Sequence, residues 1–184
     1  SQATPNDLFI GGLSGPGYMY SKAIPSEALP GVVKKSREMM ETLDLNVFEI
    51  MDYSEGATVE GNPDLPQSVI DQYYEGMPDV LGFLNGYAPA FTFVNREGRP
   101  LISYDYYMSP ERPAELVHAD LVELAAINDK RPYFLLMHVR QWSDISAVKK
   151  IFDGLGLAFE IVPLDRFLKM AGTEPTFETY TRPE

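Results

Sequence analysis

Apolar positions along the chain fall into two alternating rhythms. Leu8, Phe9 and Ile10 make a short continuous run of the kind a buried strand shows, and a glycine-rich stretch follows. Ala28, Leu29, Val32, Val33, Met39, Met40 and Leu43 then recur at helical spacing and predict an amphipathic helix over residues 26–43. Residues 47–51 read as a second strand. Residues 55–66 are rich in Gly, Pro and acids and read as a loop, 67–74 as a short helix, and 82–89 as irregular chain. Two strand-like runs, 90–94 and 101–104, flank Asn95-Arg96-Glu97-Gly98-Arg99, whose length and glycine suit a β-hairpin.

The second half continues the alternation. Ser109-Pro110-Glu111 has the form of a helix start, and Val117, Leu121 and Leu124 share one side of the helix it opens. Residues 133–139 are apolar almost throughout, the pattern of a strand covered on both faces. Ser143 or Asp144 caps a helix that turns Ile145, Val148, Ile151, Phe152 and Leu155 inward and stops at Gly154 and Gly156. Residues 158–162 read as the last strand, 164–170 as a closing helix, and the chain from Thr173 as a polar tail. The predicted class is α/β, a mainly parallel sheet with alternating helices in a single domain over residues 1–184. A closed eight-stranded barrel takes about 250 residues. The expectation is an open sheet or part of an incomplete barrel.

Composition narrows the partners. The formal charge of −12 repels phosphate backbones and anionic headgroups, so nucleic acid and membrane surfaces are not expected, while neutral ligands such as sugars stay open. The chain has no cysteine, which removes disulfides and thiolate chemistry. No run of apolar residues is long enough for a membrane-spanning helix. The chain begins at Ser1 rather than Met, which raises the expectation of a removed signal peptide, upstream domain or tag.

In parallel α/β folds ligands collect at the carboxyl ends of strands. That rule singles out the glycine loop from Gly12 to Tyr20, then Asp52-Tyr53, then Tyr104-Asp105-Tyr106-Tyr107, then His138, Arg140, Gln141 and Trp142, and after the last strand Asp165. The glycine loop lacks the spacing of a phosphate-binding fingerprint. Gly15 and Gly17 would let the backbone come close to a ligand, and Tyr18 and Tyr20 could stack on a sugar ring. A tight turn with two packed tyrosines explains the same residues.

Gly15-Pro16-Gly17-Tyr18-Met19-Tyr20 matches GxGYxY, the signature of the GxGYxYP family, with Ser21 where the family has proline. The runs Arg131 to Arg140 and Phe159 to Asp165 also resemble that family's later strands, so the likeness spans residues 7–168. The resemblance implies a carbohydrate-directed glycoside hydrolase, exported from a bacterial cell to the periplasm, cell surface or medium. It also implies a longer protein with a separate upstream domain, of which this chain is the later, catalytic-type part. No cofactor or metal is implied.

Most glycosidases flank the scissile bond with two carboxyl groups. Asp52 and Asp105 each end a predicted strand beside tyrosines and form the candidate pair, whereas Glu49 lies earlier in its strand and reads as structural or paired. His138 is the candidate for a proton shuttle or a hydroxyl contact; a satisfied core histidine is the alternative. His118, inside a helix, reads as packing, and the two histidines make no metal motif. Tyr53, Tyr106, Arg140 and Trp142 complete the candidate sugar contacts. Hydrolysis of a glycosidic bond in a poly- or oligosaccharide is the leading expectation. A non-catalytic carbohydrate-binding domain and a sugar deacylase are the alternatives.

Overall fold

The computed structural model describes residues 4, 7–52, 64–86 and 92–173. Helix α1 (Leu29–Leu43) starts with Pro30 in its first turn, where a missing N–H costs nothing, and ends at Asp44 in the left-handed region. Its Leu29, Val33, Ser36 and Met40 are buried along one stripe. Strand β1 (Val47–Met51) follows, then α2 (Gln67–Gly76), β2 (Gly82–Gly86), β3 (Phe93–Arg96) and β4 (Arg99–Ser103). These strands form one sheet in the order β1-β2-β4-β3, with β1, β2 and β4 parallel and β3 antiparallel at the edge. Next come β5 (Tyr106–Met108), α3 (Ala114–Ile127), β6 (Met137–Val139), α4 (Ile145–Gly154) and α5 (Leu164–Thr173). β5 and β6 pair in parallel as a second, two-stranded sheet.

Three apolar layers hold this together. α1 and α2 cover one face of the larger sheet through Val33, Met40, Ile70, Tyr73 and Tyr74 against Phe48, Ile50 and Phe83. α5 covers the other face, with Leu168 and Ala171 against Val47, Leu84 and Ile102. α3 and α4 cover one face of the small sheet through Val117, Leu121, Val148 and Ile151. Each fully buried side chain of this size contributes about 1.5–3 kcal/mol. The result is the α/β fold with a mostly parallel sheet that the alternation predicts, and no barrel closes among the described residues.

The differences in detail have physical reasons. Residues 8–10 form no strand: only Gly11 bridges to Phe48, giving its N–H to Val47 O at 2.9 Å and accepting from Glu49 N at 2.7 Å. The segment read as irregular contains β2, buried at all five positions. Its glycines admit close neighbours, since a Cβ on Gly82 would lie 2.7 Å from Pro100 O. The hairpin is present but turns tightly at Glu97-Gly98, both at positive φ, so its strands sit later and earlier than the apolar runs suggest. α3 begins at Ala114, after Pro113, rather than at Ser109. Of residues 133–139 only the last three find a ladder partner, and residues 158–162 find none. The expected tail, apart from Thr173, lies outside the described residues, as does most of the acidic loop.

Candidate active site at the sheet junction

Because β1, β2 and β4 run parallel, their carboxyl ends share one edge. There the chain leaves the larger sheet and enters the smaller within two residues. Tyr104 N still donates to Asn85 O of β2 at 3.2 Å, whereas Asp105 N already donates to Leu136 O at 2.9 Å. The alternation of β5 and β6 then decides which side chains meet. Tyr106, Met108, Met137 and Val139 pack with α3 and α4, so Tyr107 and His138, paired in register, fall on the opposite face. The His138 ring lies between two tyrosines, 5.0 Å from the Tyr104 centroid and 5.5 Å from that of Tyr107.

Glu49 joins this group from β1. It shares its sheet face with Leu84 and Ile102, its register neighbours. Gly86 and Gly12 leave the space its side chain occupies: a Cβ on Gly86 would lie 2.3 Å from Glu49 Oε1 and 2.4 Å from Tyr104 Cε2, and one on Gly12 would lie 3.1 Å from Glu49 Cβ. The Tyr104 ring and the Glu49 carboxyl lie side by side over Gly86, both within 2.4 Å of the point a Cβ there would take. Burial raises the Glu49 pKa above the usual carboxyl value, and the neighbouring Tyr104 hydroxyl partly opposes this. Burial and the neighbouring carboxylate push the Tyr104 hydroxyl well up.

The glycine loop is clamped on the other side of β1. Ser14, at positive φ, stands in for a strand neighbour: its Oγ donates to Met51 O at 2.6 Å and accepts from Met51 N at 2.7 Å. Tyr73 OH donates to Ser14 O at 2.6 Å and shares a 2.8 Å hydrogen bond with Ser21 Oγ. Burial pushes the Tyr73 hydroxyl up to about 12. Asp52, 0 % exposed, accepts from the Lys22 backbone N–H, with Lys22 Nζ 3.9 Å from Oδ1.

The remaining candidates divide among different places. Asp105 is 4 % exposed and its Oδ2 accepts from Leu136 N at 2.9 Å. Gly15 packs against Met19 and Val32, whereas the nearest neighbour of a Cβ on Gly17 is Met19 Cε at 3.8 Å. Tyr18 is 67 % exposed and meets Tyr20 edge-on at 5.9 Å. Arg140 lies 4.2 Å over the ring of Trp142, which is 55 % exposed. Tyr106 turns away to α3, hydrogen-bonded to Asp120, which Arg112 also holds at 2.6 and 2.7 Å. Tyr53 lies outside the described residues. His118 bonds Gly154 O at 2.9 Å in the α3–α4 contact.

The structure therefore brings His138 together with Tyr104 and Tyr107, and adds Glu49, which strand position alone did not single out. The available signal was the pair of glycines, Gly12 and Gly86, one beside β1 and one ending β2.

In open, mainly parallel α/β sheets ligands bind outside the carboxyl ends of the strands. The chain belongs to the family described as GxGYxYP putative glycoside hydrolase C-terminal domain, whose model covers residues 1–172. No curated protein and no solved structure matches the chain.

Proposed function

We propose that this domain binds a poly- or oligosaccharide at the sheet junction and takes part in hydrolysis of a glycosidic bond there. The observation that carries the reading is the cluster of His138, Tyr104 and Tyr107 at the carboxyl edge of a chain that belongs to this family. Aromatic faces suit the C–H face of a pyranose, and imidazole can donate to or accept from hydroxyls. Exposed Tyr18 and Trp142, with half-buried Tyr20 and Arg140 beside them, are proposed to extend the sugar contacts, and the Gly15–Gly17 turn shapes the loop that carries the two tyrosines.

The carboxylate pair is the finer part of the proposal. Asp105, whose carboxylate accepts from the Leu136 amide, is proposed as one carboxyl group of the pair. Asp52 sits under Lys22, and its role is proposed to be holding the glycine loop. Export from the cell belongs to the same proposal, and fractionation that finds the protein only in cytoplasm would remove it. The test of function is hydrolysis of a glycan panel by the full-length protein. A cleaved glycan, with turnover at least ~100-fold lower in Asp105→Asn, is expected. Near-wild-type turnover removes Asp105, and an uncleaved panel removes the reading.

Tyr18 and Trp142, both exposed, favour one second reading, a binding domain without catalysis. Saturable glycan binding with no product formed would establish it.

A further inference from the structure

We propose that Glu49 is the proton donor of this site, protonating the glycosidic oxygen as the bond breaks; this rests on the proposed glycosidase reading. Three observations place it there. Asp52 and Asp105 lie beneath the surface, whereas Glu49 is only partly buried although it sits inside a strand. Gly12 and Gly86 carry no side chain on either side of its carboxyl, and a Cβ at Gly86 would overlap it. The Tyr104 ring meets the Glu49 carboxyl over Gly86 and packs 5.0 Å from the His138 ring, which ties Glu49 to the ring cluster. Tyr104 is the titratable side chain beside Glu49, with His138 5.0 Å beyond the Tyr104 ring and Tyr107 5.5 Å from His138.

The chemistry balances in one step. The Glu49 proton moves to the bridging oxygen while the bond from that oxygen to the anomeric carbon breaks, leaving an alcohol and the Glu49 carboxylate. Water supplies hydroxyl to the anomeric carbon, and its remaining proton restores the acid. A carboxyl raised by its apolar surroundings keeps that proton closer to neutral pH than an exposed one does.

The experiment measures kcat/KM against pH for the full-length protein on two substrates of the same sugar. One is the glycan it cleaves; the other is a dinitrophenyl glycoside, whose leaving group departs without protonation. Glu49→Gln is expected to slow the glycan at least ~100-fold and the aryl glycoside less than about tenfold. Tyr104→Phe removes the neighbouring hydroxyl that holds the Glu49 pKa down, so the alkaline limb is expected to move to higher pH. Folded Glu49→Gln that keeps glycan turnover, or loses both substrates equally, overturns the assignment. If that variant does not fold, an unmoved or lowered limb in Tyr104→Phe overturns it instead. A wild-type protein that cleaves neither substrate removes the functional reading and Glu49 with it. Wild-type cleavage with an unimpaired Glu49→Gln removes Glu49 alone.

Discussion

Replacing Gly86 with Ala should damage the fold and the site together, because the methyl has nowhere to go. The new Cβ would sit 2.3 Å from Glu49 Oε1, 2.4 Å from Tyr104 Cε2 and 3.0 Å from Tyr104 Cδ2. The Glu49 carboxyl could swing aside, since it ends a flexible side chain. The Tyr104 ring cannot do so easily, because it packs in the α5 layer and against His138. Overpacking of this kind costs about 1–3 kcal/mol. For a chain of 184 residues that lowers Tm by roughly 2–12 °C. Gly31→Ala is the internal control. It lies in α1 with nothing within 4 Å of its Cβ, so Ala should raise stability by about 1 kcal/mol through helix propensity, or roughly 2–4 °C. Calorimetry on the wild type and both variants in one buffer gives the comparison. Gly86→Ala melting at or above wild type, with Gly31→Ala raised as expected, would refute the claim that Glu49 and Tyr104 meet over Gly86.

Asp52→Asn keeps an acceptor for the Lys22 amide but removes the charge opposite a nearly buried ammonium. It should cost about 1.5–3 kcal/mol in urea denaturation, and an unchanged midpoint would contradict the clamp. Glu49 has its folded pKa raised above the usual 4.5, so the folded chain binds that proton more tightly than the unfolded one. Its contribution is complete below the ordinary glutamate range and is lost as pH rises through the folded value. Glu49→Gln cannot ionise and should therefore gain in Tm relative to wild type as pH rises above the ordinary glutamate range; a gap that stays constant with pH would contradict the raised pKa. Trp142 is the single tryptophan and is exposed, so its fluorescence should be readily quenched by acrylamide and protected by a bound glycan. Quenching unaffected by saturating glycan would take Trp142 out of the sugar contacts.

Much of the fold was legible because it depends on local pattern. β1 was read at its observed bounds, and α4 was read with Ser143 or Asp144 as its cap; Asp144 takes that place, its side chain accepting from Ser146 N at 2.8 Å. β2 was not legible, because Gly82, Asn85 and Gly86 look like loop chemistry until the neighbours that crowd them are known. β5 was missed for a similar reason: three residues become a strand only because β6 lies beside them. Residues 8–10 and 158–162 have apolar runs suited to strands, but apolar content supplies burial and not a ladder partner. The candidate site divides along the same line. His138 and Tyr107 could be named from strand ends, whereas Glu49 gains its surroundings from Gly12, Gly86 and Tyr104, which lie far from it and from one another in sequence.

The most direct measurement is a crystal structure of the full-length protein with a non-hydrolysable analogue of a glycan it cleaves. A sugar ring packed on Tyr107 or His138, with its bridging atom within hydrogen-bond reach of Glu49, is the expected result. A sugar bound only elsewhere, with none in contact with Tyr104, Tyr107, His138 or Glu49, would contradict the junction as the active site.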